Sequence, residues 1–286
     1  MSFTDDVKYR FKKLNILEKI IVLNVIIFLI VSILKPILNG VLKWFELPSD
    51  FGSYVIKPWT ILTYAFLHYG FVHLLFNMLW LYFIGRIFLD LFRPKTALNI
   101  YFLGAIFGGL AFQLGYTIAP YFFQGSGYLI GASAAVRALF IFLCAYMPNK
   151  EVQILAFKLK LWYLAAFFVA IDVIGVFGQE NQGGNLAHLG GALLGYIYAK
   201  QLHKGNDIGS GFEKVMNTVV GWFSISKKSK MKTIYKDKTK VGGYTKGEFN
   251  QFNNQKKVDV ILDKISKSGY ESLTAEEKEF LFKVGK

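Results

Sequence analysis

Between Ile16 and Gln201 the sequence passes through six apolar runs, each parted from the next by a polar, charged or aromatic connection. About 20 apolar residues are what an α-helix needs to cross the hydrocarbon of a bilayer, so the pattern predicts an all-α, polytopic membrane protein. Apolar residues make up 53% of the 286, which fits that class better than a soluble domain. The runs read as residues 16–34, 61–89, 97–118, 133–147, 159–177 and 187–201. Lys35-Pro36 is expected to end the first, because a proline ring clashes with helix continuation. The connection at 39–60 carries Trp44, Phe45, Leu47, Pro48, Phe51 and Trp59, as a loop lying in the membrane interface would. In the third run Gly104, Gly108, Gly109 and Gly115 let neighbouring helices approach closely. The fourth run is too short for a full crossing. Its start should therefore lie below the surface, in a depression that water can reach.

Charge orients the runs. Lys8, Arg10, Lys12 and Lys13 precede the first, Arg86, Arg93 and Lys95 follow the second, and Lys150, Lys158 and Lys160 follow the fourth. The opposite connections hold only Lys43 and Lys57. By the positive-inside rule both termini are expected in the cytoplasm, with six spans between them. The first span has no small-residue cleavage signature near Lys35 and reads as a retained helix rather than a removed signal peptide. Of the formal net charge of +14, half lies in residues 203–286, where 17 Lys face 10 Asp or Glu. A basic tail beside a membrane suits cytoplasmic retention and anionic lipid, and no base-reading motif points to nucleic acid. A single cysteine, Cys144, excludes an intrachain disulfide and any cysteine-based metal site.

The expected organisation is an amino-terminal arm at 1–15, a six-helix membrane core at 16–202, a basic linker at 203–257, disordered over 224–255, and a small helical hairpin at 258–286. In the hairpin Val258, Ile261, Leu262 and Ile265 share a helix face and Gly269 is a stop signal. Thr274-x-x-Glu277 then reads as a capping box ahead of Phe280, Leu281 and Val284. The competing reading is a weakly ordered tail.

Four polar groups fall in the outer third of the membrane. His73 and Asn77 lie four apart on one face of the second run, Ser133 opens the fourth, and His188 opens the sixth. Ionisable and polar groups inside spans are costly enough to mark functional candidates. Ser133, two residues after Gly131, sits in the first turn of a helix, where unpaired N–H groups and the macrodipole favour negative charge. Such a serine suits a developing oxyanion; Gly131 and Ser133 could equally be cap and packing residues. The pattern Gly183-x-x-x-Ala187-His188-x-x-Gly191-x-x-x-Gly195 makes a groove into which another helix can sink. If that neighbour is the fourth helix, His188 reaches Ser133 as a general base; otherwise it is a packing histidine.

Together, His68…His73-x-x-x-Asn77, Gly131-x-Ser133 and the glycine-framed His188 resemble the rhomboid family of intramembrane serine proteases, in order and spacing, over about residues 15–202. The resemblance implies a six-helix rhomboid-like bundle and a Ser–His dyad with no third acidic member. By the same resemblance Ser133 is the nucleophile, His188 the base, His73, Asn77 and the Ser133 N–H the oxyanion donors, and His68 a supporting histidine. Gly131 and Gly191 support that arrangement. Residues 178–184 and the fifth helix correspond to a cap and a gate for laterally entering substrates. Trp59 matches the tryptophan of a Trp-Arg pair in the first loop, but Thr60 stands where the family has arginine. Ala134 replaces a common glycine, and Arg137 stands where some members carry an aromatic ring against the histidine.

The function expected on these grounds is endoproteolysis of transmembrane protein substrates within a bacterial-type plasma membrane, with no metal or cofactor. A catalytically silent relative that binds membrane clients is the alternative. No repeated broken helix suggests a transporter. Asp172 is the one acidic residue well inside a span, at a depth similar to Arg137, and the two are expected to pair. The other possibility is that Arg137 points into the cavity near His188.

Overall fold

The computed structural model describes residues 3–123, 127–154, 157–178, 180–223, 240–241 and 244–284. They form two compact units, residues 1–223 and 224–286. The first begins with α1 (Phe3–Lys13), where sequence reading left an arm without structure; an Asp6–Arg10 pair one turn apart, at 2.8 Å, supports it. Asn15 and Glu18 then cap α2 (Ile16–Leu42) reciprocally, side chain to backbone N–H, at 2.8 and 2.9 Å. Contrary to expectation α2 runs through Pro36. A proline removes one backbone bond, but in apolar surroundings unwinding the helix would strand many more.

Three short pieces follow: α3 (Phe51–Ile56), α4 (Thr60–Thr63) and a 3-10 turn, Tyr64–Phe66. The expected second span is therefore not one helix. Its first ten residues fold separately, and α5 (Phe71–Leu91) starts after Gly70, which is extended, so His68 lies in the connection rather than on the helix. A span of 61–89 would exceed what the bilayer needs, and the surplus residues find partners in the protein instead. Next come α6 (Pro94–Ile118), α7 (Ser133–Tyr146), α8 (Leu161–Phe177) and α9 (Gln182–His203). α9 starts five residues before its expected first residue, so His188 sits in its second turn and Gln182–Gly184 belong to the helix rather than to a cap loop.

The fold is mainly rather than purely helical, because Glu151–Ile154 pairs antiparallel with Phe157–Lys160 in the connection before α8. That segment alternates charged or polar with apolar residues, a period that suits a strand and not a helix. α10 (Ser210–Phe223) replaces the first part of the expected linker. It is held by an ion pair from Lys95 to Glu213 at 2.6 Å, and the segment leading into it by one from Arg93 to Asp207 at 3.6 Å.

Three helical stretches, Ile16–Ile37, Phe71–Leu91 and Pro94–Ile118, are long and apolar enough to cross a membrane, and α7 and α8 are shorter apolar helices. Outward-facing Ile33, Phe83, Ile174 and Phe177 are all more than half exposed, the surface of a protein that sits among lipid chains. α7 is different. Ten of its fourteen residues are buried, and it packs against α5, α6, α8 and α9. Surrounded by protein, it need not match the bilayer, and at about 21 Å it is shorter than the hydrocarbon thickness.

Two layers of small residues make the close packing around α7 possible. Ala134 lies between Gly108 of α6 and Gly191 of α9, and one turn on Ala138 lies between Gly104 and Gly195. A methyl added at Gly108 would sit 2.5 Å from that of Ala134, and one at Gly191 would overlap the Ala134 carbonyl. Ala134, the departure beside Ser133, is thus accommodated by the absent side chain of Gly108.

The second unit contains α11 (Lys246–Ser268) and α12 (Ala275–Val284), joined at Gly269, φ +77. α11 begins well before the expected residue 258, so of the stretch 224–255 expected to be disordered, 246–255 are helical and Lys240–Val241 pairs with Tyr244–Thr245, while 224–239 lie outside the described residues.

Candidate active site

The turn entering α7 is held by the segment between α2 and α5. Leu47–Pro48 pairs antiparallel with Tyr128–Leu129, and Ser49 and Gly127 exchange hydrogen bonds at 2.9 Å. The Gly131 N–H donates to the Tyr64 carbonyl at 2.9 Å, and the Ala132 N–H donates to His68 Nε2 at 3.3 Å. Tyr64 is itself fixed by donating to the Ala105 carbonyl of α6 at 2.7 Å. Gly131 has φ +110, where side chains are strained, and a Cβ there would meet the His73 imidazole at 2.5 Å. Ser133 is the first residue of α7 after the cap Ala132, so the N–H groups of this turn have no carbonyl four residues back to bond.

Trp59 stacks on Trp44 at 6.1 Å and donates its ring N–H to the Trp44 carbonyl at 2.8 Å. Thr60 is fully buried, its hydroxyl donating to the Lys57 carbonyl at 2.6 Å. The loop is therefore tied by the stacked tryptophans and by Lys57, which donates to the Lys43 carbonyl at 2.9 Å, without the arginine that Thr60 replaces.

His73 and Asn77 occupy successive turns of α5. The Asn77 amide donates to the His73 carbonyl at 2.9 Å, and the His73 ring lies edge-on to that of fully buried His68, centroids 5.0 Å apart. α9 approaches from the other side. Its Gly191 meets Ala134 and its Gly195 meets Ala138, so the two helices run in the same direction in register. His188, one turn before Gly191, is thereby level with the start of α7.

These groups line one cavity of about 450 Å³ between α5, α7, α8 and α9. Ser133, His188, His73, Asn77, Arg137 and Asn181 supply its polar part. The remainder is apolar, with Trp80, Phe140 and Phe168 meeting edge to face at 5.3–5.6 Å. All four polar residues singled out for the outer third of the membrane are thus brought together. His68 is not in the cavity wall, but it holds the turn behind it.

The expected Arg137–Asp172 pair is present: Nε lies 2.9 Å from Oδ2, and Nη2 donates to Oδ1 at 3.1 Å. Arg137 also packs over Phe168, 4.7 Å from the ring centre. Both alternatives for Arg137 hold at once, since it pairs with Asp172 and lines the cavity beside His188. Sequence reading missed a third contact. Asp172 Oδ1 is also 2.9 Å from His188 Nδ1. The signal was available, for the depth argument that paired Asp172 with Arg137 applied equally to His188. Among the described residues no group of three or more His, Cys, Asp or Glu is arranged to hold a metal ion.

A family model described as the rhomboid domain matches residues 56–205, just over half of the chain. A second, described as a family of unknown function (DUF6576), matches residues 248–284. The chain is similar to the rhomboid protease GlpG of Serratia proteamaculans, 26% identical over 194 residues, covering 63% of this chain and 60% of the relative. It is similar also to the rhomboid protease GlpG of Yersinia enterocolitica, 26% identical over 188 residues with the same coverage. The chain thus spans about 60% of the length of the curated relatives it matches. With the rhomboid domain covering the helices that build the cavity, this integral membrane protein belongs to the rhomboid family.

Proposed function

We propose that the chain is an intramembrane serine endopeptidase that cleaves transmembrane segments of membrane proteins by a Ser133–His188 dyad. The reading rests on one observation: Ser133, at the start of a buried helix, shares a cavity with His188, His73 and Asn77. Ser133 Oγ attacks the substrate carbonyl carbon while His188 takes its proton, and the carbonyl electrons move onto oxygen. The Ser133 N–H, the Asn77 amide and the His73 ring then donate to that oxyanion. His188 returns the proton to the leaving amine as the C–N bond breaks, and water completes the cycle by the same steps in reverse. His68 keeps the turn in shape by accepting from Ala132. The apolar wall at Trp80, Phe140 and Phe168 suits a side chain arriving from lipid.

In this reading α2 and α5 to α9 are six crossings, with both termini in the cytoplasm and residues 16–202 as the catalytic core. The similarity to rhomboid proteases named GlpG supports the reaction class. The test is cleavage of a transmembrane reporter by purified protein in proteoliposomes, together with fluorophosphonate labelling. Wild type should cleave and label, and Ser133→Ala should do neither. Equal labelling of the two proteins would remove the case for Ser133.

A further inference from the structure

We propose that Asp172 is a positioning residue for His188, turning the dyad into a Ser133–His188–Asp172 relay in which Arg137 holds the carboxylate. The proposal rests on the reading of Ser133 and His188 as nucleophile and base, and adds a group that the resemblance to the family does not supply.

Geometry carries it. The Asp172 side chain is 2% exposed, so water cannot replace the protein groups around it. Arg137 addresses both carboxylate oxygens, Nε at 2.9 Å from Oδ2 and Nη2 at 3.1 Å from Oδ1. Charge pairing at Oδ2 together with one hydrogen bond from Nη2 at Oδ1 anchors the carboxylate against the guanidinium, and so limits where Oδ1 points. It points at His188 Nδ1, 2.9 Å away. An ionised carboxylate can only accept, so Nδ1 carries the proton and the lone pair of the ring is at Nε2. That is the tautomer a general base needs.

Nε2 takes the Ser133 proton as the Oγ–C bond forms, the ring becomes positively charged, and Asp172 accepts from Nδ1 throughout without being protonated. Arg137 offsets the buried carboxylate in the resting enzyme. The carboxylate can then orient the ring without requiring the ring to be charged beforehand, which would leave no base.

The alternative is that Asp172 serves only as the counter-ion of Arg137, with His188 an incidental neighbour. Replacing the carboxylate by an amide separates the two. The amide of Asp172→Asn can offer N–H to Nδ1, which moves the ring proton to Nε2 and blocks it as a base. Because Asp172→Asn alone leaves Arg137 buried without a counter-charge, the decisive protein is Arg137→Met with Asp172→Asn, which removes both charges.

The experiment compares full-length wild type, Arg137→Met, and the double variant in micelles, by fluorophosphonate labelling, reporter kcat and KM, and ring 15N NMR. With four histidines in the chain, the His188 signals are assigned by their loss in His188→Gln. The wild-type His188 should be neutral with its proton on Nδ1. In the double variant labelling and kcat should fall about 100-fold or more. KM should stay within about threefold, and the Nδ1–H tautomer should no longer dominate. A double variant that keeps the Nδ1–H tautomer, or labels at close to the wild-type rate, overturns the proposal. If wild type shows no Ser133-dependent labelling, the protease reading fails, and the tautomer comparison still decides whether Asp172 sets the ring.

Discussion

Gly191 of α9 lies so close to the Ala134 carbonyl of α7 that a methyl group at position 191 would overlap it. This contact, one residue from Ser133 and one turn from His188, sets how near the two helices come at the cavity. Gly195 repeats it one turn deeper against Ala138. Gly191→Ala and Gly195→Ala should each cost about 1–3 kcal/mol through overpacking. The two should differ in activity. At matched loss of melting temperature in detergent, Gly191→Ala should label with fluorophosphonate more slowly, because the displacement falls at Ser133. Equal labelling of the two variants would mean that the spacing at Gly191 does not set the site.

Asn77 reaches the cavity while its amide donates to the His73 carbonyl. An amide nitrogen has two hydrogens, so one remains for an oxyanion. Asn77→Ala should slow reporter cleavage by about 10- to 1,000-fold with expression intact. Unchanged turnover would make Asn77 a packing residue only.

The buried Arg137–Asp172 pair should show a coupling term in stability. Asp172→Asn strands a guanidinium that is only 16% exposed, and breaking one side of such a pair costs about 3–5 kcal/mol. Adding Arg137→Met should restore much of the loss, because no unpaired charge is left. A double-mutant cycle in thermal melting measures this directly, and strict additivity of the two changes would refute it.

In the carboxy-terminal unit Thr274 and Glu277 cap α12 reciprocally: Thr274 N–H donates to the Glu277 carboxylate at 2.7 Å, and Glu277 N–H donates to the Thr274 hydroxyl at 3.2 Å. Thr274→Ala should weaken the start of α12 by about 0.5–2 kcal/mol, seen as faster amide exchange in that helix alone. Glu277 also pairs with Lys264 of α11 at 2.8 Å, and that contact, with the Thr274 N–H, lowers its pKa below the ordinary 4.5. A depressed carboxylate contributes stability that is complete above its unfolded pKa and is lost as pH falls through the folded one. Protection of α12 amides, measured against their intrinsic exchange rates, should therefore fall below about pH 4.5 in wild type, and less steeply in Glu277→Gln.

What the sequence determined by itself is largely what local chemistry enforces. The limits of α6, α7 and α8 could be read to within a few residues because Pro94, Gly131, Pro148 and Gly178 interrupt apolar runs, and the capping box at Thr274 is a four-residue pattern. Ser133, His73, Asn77 and His188 were found from depth along their runs, a quantity that counting residues supplies. Counting does not supply rotation about a helix axis or the identity of neighbours. The continuation of α2 past Pro36, the break before Gly70 and the early start of α9 depend on which backbone groups find partners in the surrounding protein. The position of Asp172 is the sharpest case. Its depth was legible, and so was a partner in Arg137, but its second contact, to His188, was decided by how α7, α8 and α9 meet around two layers of glycine and alanine. A carboxylate oxygen can accept from two donors, and only the packed structure brings Arg137 and His188 to the same one.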